Sequence, residues 1–302
     1  MRMLRPLRLV SLLLFAFGFL LASAWGQSSP SSPTGSSGAP MHGVAANSPA
    51  ASSPSPWFLW EGWQAEDNRN GQAYLWNTSL GYRINRHFTL LAGVPYYDFQ
   101  LSSGGAGGLG DAYLGLQMRS QLPGLRLTST LTGTAPTGDR AAGLSSGRAT
   151  VDFNNRFNHS FGRFVPFVDL GIANTITNES YFVRPVTTYG WVGNLEAGGE
   201  FYLTHRLGLG AAGYKILPAG SQNVYNRAGT TPVTNPLMPT AAASQSGGSS
   251  LDRDQGYGAW LDYNPIPWLL LEVSFSHSQH YGLNTVSFTT GYNLLALFHH
   301  SQ

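Results

Sequence analysis

Residues 125–136 read LRLTSTLTGTAP, and every second position changes character. Leu125, Leu127, Ser129, Leu131, Gly133 and Ala135 alternate with Arg126, Thr128, Thr130, Thr132 and Thr134. A period of two is the pattern of an extended strand whose faces meet different surroundings. In a soluble sandwich the leucine face would meet a core, whereas in a membrane barrel it would meet lipid. The choice between them depends on what flanks the stretch.

Outward from it, the chain divides into alternating segments of similar length. The spacing predicts strands over 57–64, 73–84, 88–99, 110–120, 125–135, 148–160, 164–176, 188–203, 207–217, 253–263, 267–279 and 284–298, about twelve in all. Tight turns are expected at NRH (85–87), LPG (122–124), FGR (161–163), THR (204–206) and NPIP (264–267), with longer links over 65–72, 100–109, 136–147, 177–187 and 218–252 between them. Short and long connections in alternation place the turns on one rim and the loops on the other, as in transmembrane barrels. A sandwich has no reason to sort its loops in this way. The expected fold is therefore all-β, a single antiparallel transmembrane β-barrel with short periplasmic turns and long extracellular loops.

Composition agrees. Charged residues are 11% of the chain against about a quarter in a soluble domain. Aromatics reach 13%, and 37 of 302 residues are glycine. Residues 1–26, MRMLRPLRLVSLLLFAFGFLLASAWG, have the form of a secretory leader: Arg2, Arg5 and Arg8, an apolar run over 9–21, then small residues that admit cleavage after Ala24 or Gly26. Removal of the leader takes the formal charge from +2 to −1, so the electrostatic footprint of a nucleic-acid partner is lacking. Absence of cysteine means no disulfide framework in an exported chain. Residues 27–56 are rich in Ser, Pro, Ala and Gly and read as a disordered tether, leaving 57–302 for the barrel and 218–252 as its long extracellular loop.

Charge falls on one phase of the strands. Ala149, Val151, Phe153 and Phe157 oppose Asp152, Asn154, Arg156 and Asn158, while Leu269, Leu271, Val273 and Phe275 oppose Glu272, Ser274 and Ser276. A lipid face outside and a polar lumen inside would produce this division. Candidate lumen-lining residues are Arg83, Asp111, Gln117, Arg119, Arg126, Asp152, Asn154, Arg156, Asp169, Asn194, Glu196, Glu200 and Glu272. Both signs occur among them, which argues against a strongly ion-selective pore. Tyr97, Phe99 and Tyr113 are candidate aromatics at the ligand mouth. Segment 88–99 is apolar on both phases and 207–217 is mostly Gly and Ala, so neither assigns its own faces.

Three stretches, GLGDAYLGLQ (108–117), TAPTGD (134–139) and GLSSGRATVDF (143–153), resemble the outer-membrane proteins grouped under the MetA pathway of phenol degradation. That resemblance implies a transporter-like barrel and uptake of aromatic or other hydrophobic compounds. The last strand, TTGYNLLALF (289–298), is similar to the C-terminal signal read by the barrel-assembly machinery, although HHSQ follows the final Phe. Expected partners are outer-membrane lipids, that machinery and a small hydrophobic solute.

Catalysis needs a serine and a histidine on one face, and the local pattern His-x-Ser occurs only at His299-x-Ser301. The His277/His280 and His299/His300 clusters have no carboxylates at ligand spacing, so no metal or other cofactor is expected. The leading expectation is a channel in the outer membrane of a Gram-negative-type bacterium; the alternative is a non-conducting structural anchor, with a lipid-modifying enzyme behind both.

Overall fold

The computed structural model describes residues 56–68, 71–101, 104–122, 124–140, 142–175, 186–226, 243–245, 253–266 and 268–294. The leader, the tether and the C-terminal tail of the assembly signal lie outside them. Fourteen antiparallel strands are present: β1 (Trp57–Asn68), β2 (Gly71–Arg83), β3 (Phe88–Leu101), β4 (Gly104–Leu109), β5 (Tyr113–Leu122), β6 (Leu125–Thr134) and β7 (Thr150–Asn158), then β8 (Phe164–Ala173), β9 (Val186–Tyr202), β10 (Leu207–Asn226), β11 (Ala243–Gln245), β12 (Asp254–Ile266), β13 (Leu269–Ser278) and β14 (Leu283–Asn293). Twelve form a closed ring in chain order, while β4 pairs only with β3 and β11 only with β10. The first and last strands close the ring from Phe58↔Asn293 to Asp67↔Asn284. Closure pairs the backbone groups of every barrel strand with both neighbours and removes the sheet edge.

All connections on the rim that holds Trp57 and Asn293 are short, as 84–87, 123–124 and 203–206 show. At the opposite rim the links are unequal. Residues 135–149 and 174–185 are long, but β1 and β2 stay paired to Asn68↔Gly71 and β3 runs on against β4 to Leu101↔Gly104. Two links expected as loops, 65–72 and 100–109, are thus mostly hairpin. β10 likewise continues to Asn226, into the expected loop 218–252. In each case the ladder continues past the point where the apolar face ends, and the change in hydropathy conceals it.

The two faces separate cleanly. Leu131 is 45% exposed and Thr132 2%, so the leucines of LRLTSTLTGTAP point out of the ring and the threonines into it. Leu114, Leu116 and Met118 of β5 and Leu170 and Ile172 of β8 are exposed on the same outer surface. Aromatic rings gather there too: Trp57 and Tyr82 at 4.6 Å near the short-turn rim, Trp63 stacked on Trp76 at 4.2 Å above them. β3, ambiguous in sequence, turns Leu91, Tyr97 and Phe99 inward and Leu90 and Tyr96 outward.

Inward aromatics lie over glycines on the facing strand. A Cβ on Gly81 would meet the Phe58 ring, one on Gly291 the Trp60 ring, and one on Gly210 the Trp260 indole. Each glycine is the register partner of its aromatic, so the missing side chain leaves a slot for the ring. Apolar clusters inside the barrel grow from these contacts: Phe58, Trp60, Leu91 and Leu270 in one, Phe167, Ala212 and Trp260 in another.

Candidate functional site

The barrel interior is polar where aromatics do not fill it. Alternation brings Arg156 of β7 opposite Asp169 of β8, and Asp169 opposite Glu196 of β9. Arg156 Nε lies 3.6 Å from Asp169 Oδ2, and its guanidinium sits 3.8 Å from the centre of the Phe167 ring. Phe167 in turn tilts against Trp260 at 6.1 Å. The cation is therefore held between a carboxylate and an aromatic face, a geometry suited to the weakly hydrated guanidinium.

Around this pair the wall from β8 to β13 is acidic. Glu200 accepts a hydrogen bond from the Tyr202 hydroxyl at 2.8 Å. Asp262 of β12 faces Glu272 of β13 across the ladder, and these two carboxylates are 1% and 2% exposed. The wall from β2 to β6 holds the arginines. Arg119 donates from Nε to Gln117 Oε1 at 3.0 Å, with Arg126 on the next strand and Arg83 at the end of β2. Asp152 is 2% exposed beside Arg156 on β7; Asn154 lies between them, and Asn194 fills the space over Gly171.

One candidate lies elsewhere. Asp111 falls in the break between β4 and β5, where it holds the β6–β7 connection. Its Oδ1 accepts the amide of Gly138 at 3.1 Å, and its Oδ2 accepts the amide and hydroxyl of Ser146 at 2.8 and 3.0 Å. Thr137 supports it, its hydroxyl oxygen accepting the Ala112 amide at 2.8 Å. An acid two residues before a strand satisfies loop amides as readily as it faces a lumen, and only the fold of residues 135–149 selects the former.

The mouth aromatics divide. Tyr97 and Phe99 stack nearly parallel, 5.6 Å apart at 8°, inside the barrel on β3. They cluster with Ala73 and Leu75 of β2 and with Leu144 from the β6–β7 connection. Tyr113 stands apart: its hydroxyl accepts a hydrogen bond from Asn77 Nδ2 at 3.0 Å.

Sequence reasoning missed three features. Asp262 sits in YGAWLDYN, where aromatics occupy both phases and hide the inward one. Leu144 carries no signal within a glycine-serine loop. Glu61 lies on the outer face between Leu59 and Trp63, a half-buried carboxylate in an apolar surface. It accepts the Trp76 indole N–H at 2.6 Å and the Thr78 hydroxyl at 2.8 Å. Among the described residues no group of three metal-ligating side chains converges.

A closed ring with an apolar exterior and a polar, charged interior is the architecture of an outer-membrane β-barrel. The fold is similar to the COG4313 outer membrane channel from Pseudomonas putida F1 with a TM-score of 0.58, over 79% of this chain and 95% of that one, at 12% identity. More distant are the NanC porin (TM-score 0.49, 6% identity, 78% and 98% covered) and the KdgM porin in complex with disordered oligogalacturonate (0.43, 9%, 77% and 98%). At such identities the likeness is one of fold. No family model and no curated protein sequence matches the chain.

Proposed function

We propose that the protein is an outer-membrane channel that admits small solutes, with aromatic or other hydrophobic compounds entering at the mouth formed by Tyr97 and Phe99. The observation that carries this reading is the division of the barrel faces. The exterior exposes bulky apolar side chains around the ring, which suits acyl chains and nothing aqueous, while the interior holds charged and polar side chains. The leader-like start and the resemblance to the phenol-degradation barrels point to the same compartment and substrate class. A 12% likeness in fold to an outer-membrane channel is compatible with it.

The mature chain, refolded into lipid and checked by heat-modifiable gel mobility, is expected to give discrete conductance steps in a planar bilayer. A folded but silent barrel would overturn the channel reading. One observation favours the second reading, a non-conducting anchor: the inward side chains Gln117, Ser278, Thr285 and Thr289 are all at most 1% exposed, so much of the interior is closely packed.

A further inference from the structure

We propose that the apolar site on the inner face of β2 and β3 at the loop end of the barrel, which Leu144 now fills, binds one small uncharged apolar molecule, and that Leu144 is the group such a molecule displaces. The inference deepens the channel reading above and names the occupant and the control of its mouth.

Leu144 belongs to a connection between strands, where a side chain ordinarily stays in water. Here it is 5% exposed and packed against Ala73, Leu75, Tyr97 and Phe99. The walls are rigid strands and the two rings present flat faces. The group that fills the space is an isobutyl side chain carried on a loop. It therefore occupies the place of a small hydrocarbon without being part of the wall.

The loop is held by backbone geometry and polar contacts alone. Gly143 and Gly147, on either side of Leu144–Ser146, have φ of 76° and 73°, the left-handed region that glycine enters without strain. Polar contacts to Asp111 and Thr137, and the Leu144 amide bonded to the Asp139 carbonyl at 2.8 Å, hold the loop in. No covalent link and no ladder fixes it. A ligand that fits the pocket only when Leu144 is out shifts the loop by its preference for that state. The three stretches that resemble the phenol-degradation barrels supply these parts: Asp111 from the first, Thr137 and Gly138 from the second, Leu144 and Ser146 from the third.

The chain has no cysteine, so one introduced thiol reports the loop without background. Ser145→Cys is nearly isosteric, keeps Leu144, and places the thiol at a position 7% exposed. In refolded protein it should react slowly with maleimide, several-fold faster in toluene-saturated buffer, and about ten-fold faster when Asp111→Asn removes one charge-assisted acceptor. Ser160→Cys, exposed in the β7–β8 turn at the opposite rim, should react at one rate throughout. Ala142→Cys, on the same loop and packed against the cluster, is the second reporter if Ser145→Cys does not refold, with the same expectations. A thiol rate unmoved by toluene overturns the binding site whatever Asp111→Asn does. Labelling needs no ion current, so a silent barrel whose thiol responds to toluene supports the pocket while refuting conduction.

Discussion

Arg156 shows how a single buried cation organises its neighbours. With Asp169 at 3.6 Å, Glu196 facing Asp169, and the Phe167 ring beneath it, it offsets carboxylates that would otherwise face one another. Arg156→Met should lower unfolding stability by about 3 kcal/mol, the usual penalty for leaving one partner of a buried pair. Arg156→Met with Asp169→Asn should recover most of that, and guanidinium unfolding of the three variants in vesicles measures the coupling. Glu61 is the opposite case, a carboxylate facing lipid with two donors of its own. Glu61→Gln keeps an oxygen for Trp76 and Thr78 and removes the charge, so the same assay should show stabilisation of about 1 kcal/mol. Arg156 was legible because it sits in a strand of clear phase, whereas β8 is apolar on both phases and Asp169 stood out by its charge alone. Glu61 was not legible: its strand begins WFLWEGW, in which large aromatics occupy both phases.

Among the elements, the seam between β1 and β14 decides whether the ring closes. Trp60 lies over Gly291 across that ladder, so Gly291→Val would drive a branched side chain into the indole. The expected loss is about 2 kcal/mol, with a smaller heat-resistant fraction on gels. Alanine at Gly133, where nothing lies within 4 Å of a Cβ, should fold as the wild type. Strand number and order followed from periodicity and connection lengths. Strand ends did not, because β1, β3 and β10 run on into segments where neither phase is uniformly apolar. Pairing continues there through backbone hydrogen bonds that leave no mark on hydropathy.

Taken whole, the interior carries more acid than the sequence suggested. Asp262, Asp254 and Glu66 are buried inward beside the candidates already named, whereas the inward cations are Arg83, Arg119, Arg126 and Arg156. If the barrel conducts, its reversal potential in a potassium chloride gradient should show preference for the cation. That preference should fade as pH falls and the carboxylates take up protons, since arginine keeps its charge throughout. Preference for chloride at neutral pH would contradict this distribution. Mixed signs pointed to weak selectivity; the excess of acid grows once β1 and β12 are placed with Glu66, Asp254 and Asp262 inward.

By itself the sequence determined the alternation, the number of strands in the ring, and which face of β6, β7 and β13 turns outward. These are local consequences of the two-residue period, readable wherever one phase is apolar and the other polar. Only the tertiary structure decided what Asp111 and Leu144 do. Their roles depend on a loop returning to meet residues on other strands, and contacts between segments far apart in the chain are not encoded in the period of either one.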